Sequence, residues 1–198
     1  MKSVLISIRP KWTEKIANGE KTIEVRKTAP QEVPFKCYIY ETQGQYVKFT
    51  HGAHTKYGYG RGKVIGEFIC DKVEMVNAKC SDYGIDLFYH DCLTNGCLTE
   101  REIEKYFNVP EDRDLRAMKG NGYVWNISDL KIYDKPKELS EFKTPPCEKS
   151  EKACGNCKWL VKINTPDVYE CECYVEDGRP ITRPPQSWRY VEDLGEEE

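Results

Sequence analysis

Short apolar and alternating runs mark the first elements of the chain. Residues 4–8 are mostly aliphatic and stop just before Pro10, which predicts a buried strand. Pro10 suits the first position of a helix, and the helix predicted over 10–17 is followed by Gly19, because glycine readily adopts the left-handed conformation found just past helix ends. Charged or polar residues alternate with apolar ones over 21–26, so this segment is predicted to be a second strand.

The pattern predicts further short strands and one more helix. Strands are expected over 35–40, 63–70 with an extension to 76, 122–127 and 130–133. Thr99 followed by Glu102 has the spacing of a capping box, which predicts a helix through Phe107. Residues 43–62 contain the run YGYGRG and are expected to form an irregular loop. Many short strands with two brief helices indicate an α+β or mainly β fold, a small barrel rather than a doubly wound sheet.

Composition changes near residue 143. Pro145-Pro146 is a stiff break, and five of the ten cysteines fall within the 27 residues that begin at Cys147. We therefore expect one domain over residues 1–142 and a cysteine-rich extension over residues 143–198, which suits a chain of 198 residues.

Charge and hydropathy restrict the partners and the compartment. Residues 1–63 hold 12 Lys and Arg against 5 Asp and Glu, while residues 141–198 hold 8 against 13. A basic first third suits an anionic ligand, although a solvated surface of mixed charge is the simpler alternative. The apolar run over 4–8 is too short for a signal peptide, and no stretch is long enough to span a membrane, so we expect a cytoplasmic protein whose cysteines are reduced thiols or metal ligands rather than disulfides.

The residues Gly19, Lys21, Glu24 and Arg26 form the motif G-x-K-x-x-E-x-R. Glu24 and Arg26 share one face of the predicted strand and can form an ion pair that orients the guanidinium toward a phosphate or a base edge. Lys21 falls on the opposite face unless the turn at Gly19 twists the start of the strand. The alternative is an ordinary ion pair beside a solvated lysine.

This motif, with SIRP before the helix and YVW and KIYDKP near residue 130, resembles the ASCH domain family over about residues 3–142. The resemblance implies a PUA-like β-barrel that holds RNA or a modified nucleoside in a cleft. A small bacterial member of the family is an amidohydrolase that removes the acetyl group of 4-acetylcytidine, which would make Lys21 the nucleophile or activated amine. That member has threonine at the position of Glu24, and a carboxylate there favours a charged, poorly nucleophilic lysine. Other relatives are described as nucleic-acid-binding or ribonuclease-like.

Aromatic and basic residues around the motif are candidates for ligand contacts. Trp12 stands on the first helix, and Tyr59 and Arg61 lie in the glycine-rich loop. Such residues can stack on bases and attract phosphates, at roughly 1–3 kcal/mol per stacked base. The alternatives are that Trp12 packs in the core and that the loop is a flexible turn. Trp125 is expected in the core, and Trp188 is expected to anchor the tail against the barrel.

The cysteine-rich extension has the spacing of a structural zinc site. Cys154 and Cys157 form C-x-x-C, Cys171 and Cys173 form C-x-C, and Cys147 is an alternative ligand. Four thiolates on two tight turns bind Zn²⁺ tetrahedrally, and a segment this short needs such a crosslink to fold. Unpaired cysteines or a redox C-x-x-C are the alternatives.

The leading hypothesis is a module that binds RNA or a modified nucleoside through Trp12, Lys21, Glu24, Arg26, Tyr59 and Arg61. An enzyme is the first alternative, an amidohydrolase of an acylated nucleoside or a ribonuclease, with Lys21 and Glu24 as its catalytic residues. A regulatory module whose zinc tail binds a protein partner is the second.

Overall fold

A computed structural model describes residues 1–51, 54–110, 115–145, 160–162, 169–171 and 178–195. Within them, twelve strands, β1 to β12, occupy Lys2–Ile8, Ile23–Arg26, Phe35–Glu41, Gly44–His51, His54–Gly60, Lys63–Cys70, Val73–Asn77, Asn121–Asn126, Ser128–Lys137, Leu160–Lys162, Tyr169–Cys171 and Trp188–Val191. The helices α1, α2 and α3 are Pro10–Ala17, Asp82–Thr94 and Glu100–Phe107, with short 3-10 turns at Leu115–Ala117 and Leu139–Glu141. No helix of the described residues is both long and apolar enough to cross a membrane.

The largest sheet has five strands in the order β12-β1-β3-β6-β9. Strands β1 and β3 are parallel, and β12 joins β1 in antiparallel register with Leu5 opposite Arg189. A second sheet has the order β2-β8-β7, and β4 pairs with β5 as a hairpin. The fold is therefore α+β with mixed sheets.

The described strands form separate sheets and do not close into the expected small barrel. Strand β2 follows α1 in the chain but pairs with β8, in the second sheet. The large sheet consequently has two edges, β12 and β9, and both of its faces are covered. One face packs against α1 and Trp125, and the other packs against Phe142 and Ile181. A third apolar cluster lies among α2, α3 and the second sheet.

Local signals in the sequence explain the first elements. The helix α1 begins with Pro10, and Gly19 after it has φ +74°. The helix α3 begins at a capping box in which Thr99 and Glu102 bond each other's backbone N–H groups. These predictions are confirmed, as are the strands near residues 4–8, 35–40 and 63–70. The predicted strand over 21–26 is shorter, because pairing starts only at Ile23.

The expected loop over residues 43–62 is wrong: most of it is the hairpin β4–β5. The helix α2 was missed entirely. Residues 178–195, which the sequence analysis assigned to the extension, return to the first domain. There Trp188 packs edge-to-face on Trp125 with ring centroids 5.8 Å apart.

Candidate functional site

A cavity of about 890 Å³ lies among α1, β2, α3 and the residues that precede β12. The lining residues are Ser7, Ile8, Arg9, Trp12, Lys21, Glu24, Val25, Arg26, Lys27, Thr42, Leu98, Glu102, Lys105, Tyr106, Asn108, Pro184, Pro185 and Gln186. All four motif-related residues that the sequence analysis placed on α1 and β2, namely Trp12, Lys21, Glu24 and Arg26, are in this list. The volume is within the range of small-molecule sites.

Lys21, Glu24 and Arg26 form a buried ionic cluster at this cavity, with exposed fractions of 3%, 6% and 8%. Glu24 lies between the two cations, with Oε2 3.3 Å from Lys21 Nζ and Oε1 2.9 Å from an Arg26 nitrogen. One carboxylate therefore faces two cations, and the cluster has a net charge of +1.

The turn at Gly19 explains how Lys21 reaches Glu24. Lys21 precedes β2, and its N–H bonds the carbonyl of Lys15 at the end of α1. Thr22 N–H then bonds Asn95 O, so the chain enters the strand only at Ile23. Lys21 therefore does not follow the alternation of side chains between the two faces of β2. Its side chain lines the same cavity as Glu24 and does not point to the opposite face.

Backbone and side-chain groups from distant segments hold both cations. Lys21 Nζ donates to Gly96 O at 2.9 Å. Arg26 donates to Ser7 O at 2.8 Å and to Ser187 Oγ at 3.5 Å. Its Nε is buried with no hydrogen-bond partner among the described residues. Buried donors are nearly always satisfied, so this nitrogen adds to the cost of burying the cluster.

Two aromatic rings line the cavity, Trp12 and Tyr106. Lys11 Nζ lies 4.2 Å from the Trp12 ring centroid, and Lys27 Nζ lies 5.1 Å from that of Tyr106. Burial raises the pKa of Tyr106 above its usual value near 10, so its hydroxyl stays neutral at pH 7. The rings therefore offer uncharged flat faces, with cations close by.

Three exposed cations, Arg9, Lys27 and Lys105, complete the lining, and none of them forms an ion pair with another described residue. Glu102, by contrast, is paired with Lys11 at 2.8 Å across α1 and α3. Burial acts to raise the pKa of Glu102, but Lys11 and Thr99 outweigh it and hold that pKa below the usual range. The lining is therefore positive overall.

Two predicted contacts lie elsewhere. Tyr59 and Arg61 are absent from the cavity lining; the Tyr59 side chain is exposed, and Arg61 Nε is 4.0 Å from a Glu41 oxygen. Sequence reasoning missed Tyr106, the three cations and residues 184–186. Tyr106 could have been found from its place in the predicted helix, one position before Phe107. No local sequence pattern indicates that Pro184 and Pro185 reach this cavity.

The predicted zinc ligands Cys147, Cys154, Cys157 and Cys173 lie outside the described residues. Cys171 ends β11, and its side chain is likewise not described. Within the described part of the chain, no three His, Cys, Asp or Glu side chains are grouped as metal ligands. The zinc site therefore stays a prediction.

No protein-family model and no curated protein matches this sequence. Among solved structures, the crystal structure of ASCH from Zymomonas mobilis superposes with a TM-score of 0.53 at 16% identity, over 96% of this chain and 88% of that chain. A single-residue mutant of the same Zymomonas mobilis protein superposes with a TM-score of 0.52 at 14% identity, over 97% and 91%. The chain is thus similar to ASCH structures in fold.

Proposed function

We propose that the cavity binds one nucleotide unit of RNA, or a modified nucleoside, and that the protein is a binding module. The ionic cluster of Lys21, Glu24 and Arg26 inside the cavity is the observation that carries this proposal. Glu24 accepts hydrogen bonds and Arg26 donates them, which matches the adjacent donors and acceptors on a base edge. The family that the motif resembles points to the same ligand class.

The rest of the lining fits the other parts of a nucleotide. Trp12 and Tyr106 can stack on a flat base, and stacking on aromatic side chains is the usual way that unpaired bases are held. The exposed cations Arg9, Lys27 and Lys105 can face phosphate. A nucleotide of an RNA chain can contact the ionic cluster, the aromatic rings and these cations. A free nucleoside has no phosphate and can contact only the cluster and the rings.

The cost of the cluster supports a ligand-binding role over a purely structural one. Three ionised groups are expensive to bury, and apolar residues of similar size often stabilise a fold as well or better. A buried Arg26 nitrogen that lacks a partner among the described residues adds to that cost.

Hydrolysis of an acylated nucleoside or of RNA is the second candidate, and the burial of Lys21 is the observation that favours it. An amine must lose its proton before it can attack a carbonyl. Lys21 Nζ is paired with Glu24 Oε2 at 3.3 Å and donates to Gly96 O at 2.9 Å, so both contacts hold it away from a nucleophilic role. Binding is therefore the better supported of the two.

One experiment separates these functions. Cytidine, cytidine monophosphate, 4-acetylcytidine and a mixed-sequence RNA are each tested for binding by calorimetry and for turnover by chromatography. The wild type is compared with Lys21→Met and with the matched control Lys119→Met, which changes an exposed lysine outside the cavity. We expect binding without turnover, weaker binding in Lys21→Met only, and tighter binding of the monophosphate than of cytidine.

Turnover that disappears in Lys21→Met would establish an enzyme instead. If none of the four ligands binds, the nucleotide hypothesis is wrong, and a protein partner becomes the leading alternative.

We also propose one structural zinc ion per chain, bound by Cys154 and Cys157 with two of Cys147, Cys171 and Cys173. The support is the thiol spacing in a segment that is too short to form a core of its own. Zinc binding by such segments is coupled to their folding.

A further inference from the structure

The hairpin β4–β5 contains basic and aromatic residues and no acidic residue. Residues 44–60 contain two lysines, two histidines and three tyrosines but no Asp or Glu, although the whole chain has a net charge of −3. A stretch without carboxylates suits a polyanionic partner. The cavity does not use this hairpin, since none of its residues is in the lining.

One face of the hairpin is fixed to α1. Tyr46 donates to Glu14 Oε2 at 2.5 Å, and Lys48 donates to Glu14 Oε1 at 2.6 Å. Hydrogen bonds from Lys48 and Tyr46 hold the pKa of Glu14 below its usual value, so the carboxylate is charged at pH 7. Gly58 passes directly beneath the Tyr46 ring, where a Cβ would lie 2.4 Å from a ring carbon. These contacts therefore hold the hairpin in place against α1.

The opposite face presents two aromatic rings to solvent. Val47 pairs with Tyr57 and Gln45 with Tyr59, so these four side chains share one face. The exposed fractions are 52% for Val47, 47% for Tyr57 and 69% for Tyr59. Gln45 Nε2 donates to Tyr59 Oη at 3.2 Å. Residues two apart on a strand are about 7 Å apart, so each ring has room for its own base.

The hairpin lies close to the cavity. Thr42, which lines the cavity, is two residues before β4, and Pro10 at the start of α1 packs against Gly60 at the end of β5. The same helix contributes Trp12 to the cavity and Glu14 to the hairpin. The exposed face of the hairpin points away from this helix, so a ligand that contacts both sites must extend past α1 and the hairpin.

We propose that the face formed by Gln45, Val47, Tyr57 and Tyr59 binds further bases of a single-stranded nucleic acid, one nucleotide of which occupies the cavity. This inference rests on the proposed function and makes it more specific: the natural ligand is a strand of several nucleotides, not a free nucleoside. Aromatic side chains on adjacent strands are a common platform for unpaired bases, and the absence of carboxylates on the hairpin avoids repulsion of the phosphates.

The test compares the affinity for a short ligand with that for a long one. Fluorescence anisotropy measures binding of a labelled 12-nucleotide single strand, and competition measures cytidine monophosphate. The proteins are wild type, the double variant Tyr57→Ala/Tyr59→Ala, the double variant Tyr57→Phe/Tyr59→Phe, and the control Tyr83→Ala, which removes an exposed ring on α2. Thermal unfolding is recorded for each protein.

We expect the alanine pair to bind the 12-mer roughly tenfold or more weakly, given the usual contribution of one stacked base. The monophosphate affinity should not change, and the phenylalanine pair and Tyr83→Ala should behave as wild type. The slope of log affinity against log salt should also be unchanged in the alanine pair, because the rings neutralise no phosphate.

Equal binding of the 12-mer by wild type and the alanine pair would overturn this inference, while binding of the monophosphate at the cavity would leave the proposed function standing. A loss of 12-mer binding in the alanine pair together with no effect of Lys21→Met would support base binding by the hairpin face and refute nucleotide binding in the cavity. If neither ligand binds to the wild type, both proposals fail.

Discussion

Glu24 should be the most sensitive position of the ionic cluster, because it is the one carboxylate between two buried cations. Replacing it by glutamine keeps the shape and raises the net charge of the cluster from +1 to +2. The gross Coulomb attraction at the two contacts, 2.9 and 3.3 Å, is roughly 5–6 kcal/mol each at an effective dielectric constant of 20. Much of it offsets the cost of desolvation, so the net loss expected for removing one member of a buried pair is about 3–5 kcal/mol.

The variant Lys21→Met should be milder. It leaves Glu24 paired with Arg26, with no net charge, and it removes the Lys21 contacts with Glu24 Oε2 and Gly96 O together with the cost of burying the ammonium group. The expected loss is about 1–3 kcal/mol. The double variant Lys21→Met/Glu24→Gln returns the cluster to a charge of +1. Its loss should therefore fall short of the sum of the single losses by about 2–3 kcal/mol, as expected for residues in direct contact.

The assay is urea unfolding at pH 7, followed by tryptophan fluorescence and far-ultraviolet circular dichroism. The buried Trp125 makes fluorescence sensitive to the core of this region. Two results would refute the reasoning. One is a Glu24→Gln variant within about 1 kcal/mol of wild type, and the other is additivity of the single changes to within about 0.5 kcal/mol.

Three further predictions concern other parts of the chain. Burial raises the pKa of Cys70 and Cys92 to about 12, so these thiols should resist iodoacetamide at pH 8 in the native state while the less buried Cys80 and Cys97 are labelled, as read by mass spectrometry. Burial acts to raise the pKa of Asp193, but the hydrogen bonds from Tyr38 and Lys36 outweigh it and lower that pKa below 3.8. Asp193 should therefore stabilise the fold above pH 4 and lose this effect as the pH falls further, so the gap in urea midpoint between wild type and Asp193→Asn should narrow in acid. Metal analysis should find one zinc per chain, and chelation should make residues 147–177 sensitive to protease while residues 1–142 stay resistant; protein purified without chelator that contains no metal would contradict this.

Much of the fold follows from local signals in the sequence. The apolar run over 4–8, Pro10, Gly19 and the Thr99 capping box each act within a few residues, and each predicted its element. The ion pair of Glu24 with Arg26 also followed from strand alternation. The helix α2 had a signal that was missed: Ser81 caps it, and Ile85, Phe88 and Cys92 recur at helical spacing on its buried side.

The pairing of the strands could not be predicted in the same way. Nothing in residues 23–26 indicates that β2 pairs with β8, about a hundred residues away, and not with β1 or β3. A closed barrel and two separate sheets need the same alternation along each strand, so the pattern does not distinguish them. The YGYGRG run was misread because its glycines suggest a loop, whereas Gly58 is required for the close approach of the Tyr46 ring.

The cavity depends on the last described segment of the chain, which no local pattern connects to it. Ser7 N–H bonds Ser187 O, Ser7 Oγ bonds Pro185 O, and Arg26 bonds Ser187 Oγ, so the segment before β12 forms one wall of the cavity. Thr144 and Arg179, which stand at the two ends of the intervening stretch, are neighbours on the domain. Thr144 N–H bonds Arg179 O at 2.8 Å, and Arg179 N–H bonds Thr144 Oγ1 at 3.0 Å. The residues between 145 and 178 thus begin and end at one place on the domain. The cavity wall itself is positioned by β12 and Ser7.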